Sequence, residues 1–541
     1  MSASLPSSST SLPDVSALVG RDLAKTYGDR VVLDGVDLVA SPGQPLGLVG
    51  ENGVGKSTLL RLLAGLEPPD AGTVERPADL EHLGQDPEFR AGATIGDVLD
   101  DALAPLHAAV ARLEALAADL DDPATPGLAA DEYDRVLTWA GLHEAWDADR
   151  RADEAAARLG LGRLDRSRPA AALSGGQRSR LALAALVVRR PACVLLDEPT
   201  NHLDDQAVAL LEEFVTSLPG VVVVASHDRA FLDAVCAAVV DLDPTAEPGG
   251  SRYTGGYSDY LAAKRDARRR WQEAFEAQQD ELDGLRKAAT STARNVAPHN
   301  RPPRDGDKFI HHFKGQNVAR TISRRVRDTE RRIEVLERDR IPKPPAPFSF
   351  RGVLAPVSGT TSRAVVGRDL RVDGRLHVER VDVPTGGRLL VTGANGSGKS
   401  TLLKVVAGEL EPTSGHLDVS ARRVGHLPQD VVFTDPARTA AEVFDRATGS
   451  PVPLAELGLL HPREQNRPVG VLSTGQQRRL GLAVLVARRP DLLLLDEPTN
   501  HVSLALAEEL EESLGRSPGT VVVASHDRWL RRRWDGDVLA L

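Results

Sequence analysis

The most constraining feature of this 541-residue sequence is a long repeat, in which five short motifs occur twice in the same order. Each set contains a glycine-rich loop, a glutamine, an LSGGQ-like segment, a DEPTNH segment and a VASHDR segment. The two loops read GENGVGKST at 50–58 and GANGSGKST at 393–401. Because a repeated motif order reflects a repeated structural unit, we expect two related domains in one chain.

The spacing of the motifs locates one large difference between the halves. Gln85 and Gln429 lie 344 positions apart, whereas the LSGGQ-like segments, which start at Leu173 and Leu472, lie 299 apart. The first half therefore carries 45 extra residues (344 − 299) before its LSGGQ segment. The stretch at about 100–170 is rich in Ala, Leu, Asp and Arg, which predicts helices. We expect this helical insertion either to enlarge the domain or to form an arm on its surface.

Each glycine-rich loop lies between an apolar segment and a leucine-rich segment, which is the strand–loop–helix context of a phosphate-binding P-loop. In such a loop the backbone N–H groups and the helix N-terminus hold phosphate oxygens. Lys56 and Lys399 are predicted to meet the β- and γ-phosphates of ATP, and Ser57 and Ser400 to bind Mg²⁺. The full set of predicted loop contacts is Gly50, Asn52, Gly53, Gly55, Lys56, Ser57 and Thr58, with Gly393, Asn395, Gly396, Gly398, Lys399, Ser400 and Thr401.

Two further apolar segments, one per half, each end in a pair of carboxylates. The first carboxylate of each pair, Asp197 or Asp496, is predicted to bind Mg²⁺ directly or through water. The second, Glu198 or Glu497, is predicted to polarise the attacking water as a general base.

A histidine follows a valine-rich segment once in each half, at His227 and His526. A lone histidine is more often structural than catalytic. Because this one recurs at the same place in both repeats, a contact with the γ-phosphate is the better interpretation.

The loop, the glutamine, the LSGGQ segment, the DEPT segment and the histidine together resemble the ABC ATPases, over about 17–248 and 360–541. The resemblance implies an α/β fold with two tandem ABC-type P-loop ATPase domains that close head to tail on ATP within one chain. Each P-loop would then face the LSGGQ-type signature of the other half. Gln85 and Gln429 would lie near Mg²⁺ and the attacking water. The signature residues implied to contact ATP are Ser174, Gly175, Gly176, Gln177, Ser473, Gly475 and Gln476.

The two halves depart from the family pattern to different degrees. Tyr27 stands where this family stacks an aromatic ring on adenine, whereas the second half has Arg371-Val372-Asp373 in that region. The second signature contains Thr474 in place of a glycine. Both halves keep the loop lysine and the catalytic glutamate, so we expect both to hydrolyse ATP, at unequal rates.

The segment at about 249–348 separates the halves and differs from them in charge. Residues 251–345 contain 22 Lys and Arg against 14 Asp and Glu, a local balance of +8 in a chain whose net charge is −11. Helical spacing predicts two helices, Tyr257 to about Asn295 and Asn317 to about Arg340, joined by a tip loop at about 296–316. This long basic α-helical hairpin linker suits an RNA phosphate backbone. The predicted RNA contacts are Lys308, Phe309, His311, His312, Phe313, Lys314, Arg320, Arg324, Arg327 and Arg331.

Two ATPase halves in one chain, a basic hairpin between them and no apolar run long enough to span a bilayer resemble the ABC-F subfamily. That resemblance implies a cytoplasmic, monomeric protein that binds the 70S ribosome near the tRNA exit site and reaches the peptidyl-tRNA. The composition and the linker tip are similar to the antibiotic-resistance branch. A housekeeping translation factor and, less favoured, the ATPase subunit of an exporter are the alternatives. A DNA-maintenance ATPase is less favoured still, because no cysteines have metal-ligand spacing.

The predicted organisation is a disordered tail at 1–16, the first ATPase domain at 17–248, the linker at 249–348 and the second ATPase domain at 349–541. Only two cysteines occur, Cys193 and Cys236, which favours a reducing compartment.

Overall fold

The computed structural model describes residues 17–50, 53–119, 126–201, 203–243, 250–294, 324, 327–344, 362–394, 396–449, 453–457, 459–499, 504–515 and 519–541. The chain divides into two compact units. The first unit is drawn from Met1–Tyr260 and Pro347–Leu541 and holds both sets of repeated motifs, and the second is drawn from Leu261–Ala346.

The first half of the repeat is an α/β domain with two sheets. Its strands are β1 (Leu18–Tyr27), β2 (Arg30–Ala40), β3 (Leu46–Val49), β4 (Ala71–Glu75), β5 (Leu80–Leu83), β6 (Cys193–Asp197), β7 (Val221–Ala225), β8 (Ala238–Asp241) and β9 (Ser251–Thr254). Its helices are α1 (Lys56–Ala64), α2 (Ile95–Asp119), α3 (Pro126–Leu142), α4 (Ala148–Arg158), α5 (Gly175–Arg189), α6 (Asp205–Ser217) and α7 (Arg229–Val235).

The second unit contains most of the linker. Helix α8 (Tyr257–Arg294) begins in the first unit and matches the first predicted linker helix almost residue for residue. Helix α9 covers residues 327–338. The two helices are antiparallel: Gln278 Nε2 donates to the Asp339 carbonyl at 3.0 Å, and Arg286 pairs with Glu337 at 2.7 Å. The predicted tip loop lies outside the described residues.

The second half repeats the α/β domain with fewer helices. Its strands are β10 (Arg363–Val372), β11 (Leu376–Pro384), β12 (Arg388–Thr392), β13 (Ser414–Val419), β14 (Val424–Leu427), β15 (Leu492–Asp496), β16 (Thr520–Ala524) and β17 (Asp537–Ala540). Its helices are α10 (Lys399–Val406), α11 (Ala440–Thr448), α12 (Pro462–Gln465), α13 (Thr474–Arg488), α14 (Leu504–Gly515) and α15 (Arg528–Arg533). Four 3₁₀ turns complete the described elements of the halves, at Ala145–Asp147, Ala170–Ala172, Leu454–Leu457 and Val469–Val471.

The larger sheet of each half explains why distant motifs meet. The strand orders are β5-β6-β7-β3-β8-β9 and β14-β15-β16-β12-β17, and all the pairs except β8-β9 are parallel. Strands β6 and β7 are fully buried apolar runs, as are β15 and β16, which is the pattern of a sheet covered on both faces. Because parallel strands end at one edge, the P-loop, the paired carboxylates and the histidine of each half follow three neighbouring strands there.

The helical insertion of the first half is α2, α3 and α4. Its own core includes Leu106, Ala109 and Ala140, each with no exposed surface. Helix α3 starts at Pro126, and proline favours the first position of a helix because it lacks the N–H that this position leaves unpaired. No helix among the described residues is both long and apolar enough to cross a membrane.

Candidate ATP-binding sites

A cavity of about 1240 Å³ lies between the two halves and is lined by most of the residues predicted for ATP binding and hydrolysis. From the first half it is lined by Tyr27, Gly53, Gly55, Lys56, Ser57, Thr58, Gln85, Glu198 and His227. From the second it is lined by Gly396, Gly398, Lys399, Ser400, Thr401, Gln429, Glu497 and His526. The fold therefore brings together, in each half, the loop, the glutamine, the glutamate and the histidine that the sequence predicts.

Each P-loop joins a buried strand to a helix through glycines that no other residue could replace without strain. Gly55 and Gly398 precede α1 and α10 with φ values of 114° and 102°, in the left-handed region. A Cβ at Gly55 would lie 2.8 Å from Leu33 Cδ2, and one at Gly398 would lie 2.5 Å from the carbonyl oxygen of Arg375. Glycine at these positions lets the loop turn its N–H groups toward a phosphate.

The loop lysines are held inside their own loops. Lys56 Nζ donates to the Gly50 carbonyl at 2.8 Å, and Lys399 Nζ donates to the Gly393 carbonyl at 2.8 Å. Gly50 and Gly393 thus contribute through their carbonyls, and neither lines the cavity among the described residues. Asn52 and Asn395 lie outside the described residues.

The catalytic glutamates adopt an unusual backbone conformation in both halves. Glu198 and Glu497 directly follow β6 and β15 with φ values of 50° and 49°. A left-handed conformation is costly for a residue with a Cβ, by about 1–3 kcal/mol, and such strain tends to occur at functional sites. Its repetition at equivalent positions indicates that the turn aims both side chains. Burial raises the pKa of Glu198 to about 7, which suits a group that must accept a proton near neutral pH.

The histidines lie beside these glutamates. The His227 N–H donates to Glu198 Oε2 at 3.1 Å, and the His526 N–H donates to Glu497 Oε2 at 3.3 Å. Both rings contact their glutamate, but only the first also contacts the loop lysine: His227 Nε2 is 3.1 Å from Lys56 Nζ and 3.4 Å from Glu198 Oε1, whereas His526 Nδ1 is 2.8 Å from Glu497 Oε1. The hydrogen bond to Glu497 raises the pKa of His526.

The carboxylates predicted to bind Mg²⁺ have free coordination capacity. Asp197 and Asp496 are buried, and within the described part of the chain one oxygen of each, Oδ1, has no hydrogen-bond partner. Burial raises the pKa of Asp496, and its hydrogen bond with Ser400 opposes that rise, so the two predicted metal-binding side chains of the second half are adjacent. No group of three His, Cys, Asp or Glu side chains among the described residues could hold an ion by itself. Magnesium normally binds through one or two protein groups and the nucleotide phosphates, so these residues fit it.

The signature segments do not join this cavity. Among the described residues that line it, none belongs to 173–177 or 472–476. Each signature serine instead caps a helix: Ser174 and Gln177 form a capping box at the start of α5, and Ser473 and Gln476 do so at α13. Ser174, Gly175 and Ser473 are exposed, and Gly176, Gln177, Gly475 and Gln476 are partly exposed. The facing of each P-loop by the opposite signature stays a prediction.

Tyr27 is held at the cavity rim by its hydroxyl group. It is 42 % exposed, and its hydroxyl donates to Glu67 at 2.7–2.8 Å. The second half has no aromatic residue at the equivalent turn, where residues 371–376 read RVDGRL. That turn joins β10 to β11 and pairs Val372 with Leu376, and Gly374 and Arg375 line the cavity there.

Sequence analysis missed a set of charged residues in the same cavity. Arg229 and Arg528, with the preceding Asp228 and Asp527, also line it. The signal that identifies them is the recurrence of the whole VASHDR segment, including its Asp and Arg, in both halves.

The linker residues predicted to bind RNA are described only in part. Arg324, Arg327 and Arg331 are exposed. Ile333 and Leu336 on α9 are partly buried. The remaining predicted contacts lie outside the described residues, namely Lys308, Phe309, His311, His312, Phe313, Lys314 and Arg320.

Comparison with known proteins agrees with this geometry. The family described as ABC transporter matches residues 33–201 and 376–500. The tylosin resistance ATP-binding protein TlrC of Streptomyces fradiae is 42% identical over 96% of both chains. The energy-dependent translational throttle protein EttA of Mycobacterium tuberculosis is 32% identical over 96% of this chain and 91% of its own.

Among solved structures, the fold is similar to that of the archaeal ribosome recycling factor aABCE1, seen in complex with the stalk protein aP1. The TM-score is 0.53 and the identity 20%, over 94% of this chain and 85% of that one. The RNase-L Inhibitor gives a TM-score of 0.52 at 20% identity, with the same coverage. The sequence relatives and the two matched domains establish that this chain is an ATPase of the ABC family and belongs to its ABC-F subfamily.

Proposed function

We propose that this protein binds the ribosome in an ATP-dependent manner and protects it from a macrolide antibiotic. The observation that carries the proposal is the 42% identity, along 96% of both chains, to a protein named for tylosin resistance. The similarity extends through the linker as well as the ATPase domains, and the linker is the part that distinguishes this arrangement from an isolated ATPase.

The proposed chemistry uses one set of residues in each half. Lys56 and Lys399 hold the β- and γ-phosphates, and Glu198 and Glu497 accept a proton from the attacking water. The contact of His227 or His526 with its glutamate supports a role beside the γ-phosphate. Gln85 and Gln429 line the same cavity, which suits contact with the attacking water and the metal.

Magnesium would be held by one hydroxyl and one carboxylate per half. The residues proposed are Ser57 with Asp197, and Ser400 with Asp496. When bound, the ion would neutralise charge that develops on the β- and γ-phosphate oxygens. The unpartnered oxygens of Asp197 and Asp496 support this assignment.

Closure of the two halves on ATP would bring each signature to the opposite P-loop. The signatures lie at the N-termini of α5 and α13, which are 15 residues long, and the N-terminus of such a helix favours an anion. Because both halves belong to one chain, we propose that a monomer forms both ATP sites.

The linker is the proposed ribosome-binding element. Arginines 324, 327 and 331 are exposed on one stretch of the unit, and guanidinium groups bind phosphate oxygens in bidentate fashion. We propose that they contact ribosomal or transfer RNA and that the tip, 307–314, reaches the peptidyl-transferase region. Replacing all three by Glu should weaken ribosome binding and leave ATP hydrolysis in the absence of ribosomes largely intact. Replacing the exposed Arg76, Arg422 and Arg532 by Glu is the charge-matched control.

A housekeeping role in translation is the second candidate, favoured by the 32% identity to a translational throttle protein. The two candidates separate on drug tolerance. Expression in a tylosin-sensitive bacterium should raise the inhibitory concentration of tylosin, and the Glu198→Gln, Glu497→Gln double variant should not. Unchanged tolerance at verified expression would contradict the resistance proposal and favour the housekeeping one.

A further inference from the structure

Two arginines at equivalent positions of the repeat cross between the halves. Arg229 of the first half pairs with Asp527 at 2.5 Å and with Glu511 in the second half. Arg528 of the second half pairs with Asp228 at 3.2 Å and with Glu212 at 2.9 Å in the first half.

These contacts form a pseudo-twofold pair. The repeat relates Arg229 to Arg528, Asp228 to Asp527, and Glu212 to Glu511, all at the same separation of 299. Each contact therefore occurs twice with the halves exchanged. A symmetric pair of contacts between two repeated halves differs from isolated surface ion pairs, which contribute little to stability.

The ion pairs that join the two halves lie next to the predicted catalytic histidines. Each aspartate directly follows a histidine, His227 or His526, and also caps the next helix: Asp228 accepts from Phe231 N at 2.9 Å, and Asp527 from Trp529 N at 2.8 Å. A movement of one histidine loop therefore displaces an aspartate that is bonded to the other half. If either histidine loop shifts, the ion pair between its aspartate and the arginine of the other half must change.

The ion pairs of Arg229 differ from those of Arg528 in burial and in the number of carboxylate partners. Arg229 is only 2 % exposed and also pairs with Glu508 at 3.2 Å, whereas the first half has Ala209 where the second has Glu508. A buried guanidinium with three carboxylates cannot leave its partners without a large desolvation penalty. Burial raises the pKa of Glu511 to about 7, and the nearby carboxylates of Asp527 and Glu508 add to that rise while Arg229 opposes it.

The contacts of Arg229 extend to the first turn of α8. Glu508 accepts a hydrogen bond from Trp529 Nε1 at 2.8 Å, and the Trp529 ring lies edge-on to Tyr257 with centroids 5.4 Å apart. Tyr257 is the first residue of α8 and is fully buried. The first turn of α8 is therefore packed against the same cluster that joins the two histidine loops.

We propose that Arg229 and Arg528 are positioning residues that make turnover at one ATP site depend on the state of the other, with Arg229 carrying the larger share. Neither acts on the reacting atoms. Each transmits the position of one histidine loop to the other. The proposal requires only the ATPase activity of the family, so it can fail while ribosome binding stands.

The test is the ATP dependence of steady-state hydrolysis by the full chain. Wild-type hydrolysis should be cooperative, with a Hill coefficient between 1 and its two-site limit of about 2. Arg229→Gln should lower the coefficient to about 1, and Arg528→Gln should lower it less. Arg531→Gln removes an exposed pair with Asp205 at the same interface and should leave the coefficient unchanged.

Two further variants keep the test decisive. Arg229→Lys retains the charge and should restore part of the cooperativity, which a purely structural role would not predict. If Arg229→Gln fails to fold by circular dichroism, Glu508→Ala reproduces the alanine of the first half and should lower the coefficient toward that of Arg528→Gln. A non-cooperative wild type would overturn the proposal, and so would folded Arg229 and Arg528 variants that keep the wild-type coefficient.

Discussion

The two ATP sites share their motifs but differ in how the histidine is held. In the first half the His227 ring lies between the loop lysine and the glutamate, with Nε2 3.1 Å from Lys56 Nζ and 3.4 Å from Glu198 Oε1. In the second half the His526 ring bonds Glu497 at 2.8 Å, and Lys399 also donates to the Ala394 carbonyl at 3.1 Å. The same backbone arrangement therefore supports two different sets of charged contacts. Identical motifs do not imply that the two sites hydrolyse ATP in the same way.

The halves differ again behind the catalytic carboxylates. Arg478 in α13 is 3 % exposed and donates to the carbonyl of Gln429 at 2.8 Å as well as to the carbonyls of Asp496 and Glu497. The first half has Ser179 at this position, whose hydroxyl donates within its own helix to Gly175 at 3.2 Å. Within the described residues, the second half thus ties its signature helix to its metal and glutamine segments through a buried arginine, and the first half does not.

The largest expected effect comes from removing the catalytic carboxylates. Because a general base contributes about 10²- to 10⁴-fold, the Glu198→Gln, Glu497→Gln double variant should hydrolyse ATP about 100-fold more slowly or worse. Each single variant should retain a measurable rate, and the two rates should differ. Phosphate release at saturating ATP measures them. Equal residual rates in the two single variants would contradict the prediction that the two sites hydrolyse ATP at unequal rates.

A pH profile isolates the first site. Burial raises the pKa of Glu198 to about 7, so its carboxyl is mostly protonated below that pH and cannot accept a proton. In the Glu497→Gln variant, turnover should rise about tenfold between roughly pH 6 and pH 8 as Glu198 ionises. A rate that stays flat across this range would show that Glu198 is not the titrating base.

Loss of the adenine ring contact should have a smaller effect, confined to one site. Stacking of a base on an aromatic side chain contributes about 1–3 kcal/mol, so Tyr27→Ala in the Glu497→Gln background should raise KM for ATP about tenfold. Tyr27→Phe keeps the ring and loses only the bond to Glu67, so its KM should stay near that of the parent. Equal effects of the two substitutions would mean that the hydroxyl, and not the ring, matters.

The smallest expected effect concerns the stability of the second half and comes from Arg478. Arg478→Gln gives up charged hydrogen bonds worth about 2 kcal/mol in total and should lower the thermal midpoint of the second half by about 5 °C. Ser179→Ala at the equivalent position of the first half should change it little. Differential scanning calorimetry reports both. A midpoint that is unchanged in Arg478→Gln would show that the buried arginine does not stabilise the second half.

Much of the fold could be predicted because its signals are local. The P-loops, the buried strands that end at Asp197 and Asp496, and helix α8 each follow from patterns within a few turns of chain. The residues of each site could be grouped because parallel strands of one sheet end at a common edge.

What the sequence could not supply was the relation between the halves. The partners of Arg229 lie 279 to 298 positions away, on α14 and at the N-cap of α15, and no local pattern pairs them. The expected facing of signature and P-loop also depends on how two domains sit together. Interdomain arrangements are decided by modest contact surfaces and not by the motifs themselves.

The most direct test of the account is co-sedimentation of the Glu198→Gln, Glu497→Gln variant with 70S ribosomes, with and without ATP. This variant should hold ATP without turning it over, so the account predicts pelleting with ribosomes that requires ATP. The same variant with Glu at positions 324, 327 and 331 should pellet less. Absence of association with ATP and without it would contradict the proposal that the ribosome is the partner of this ATPase.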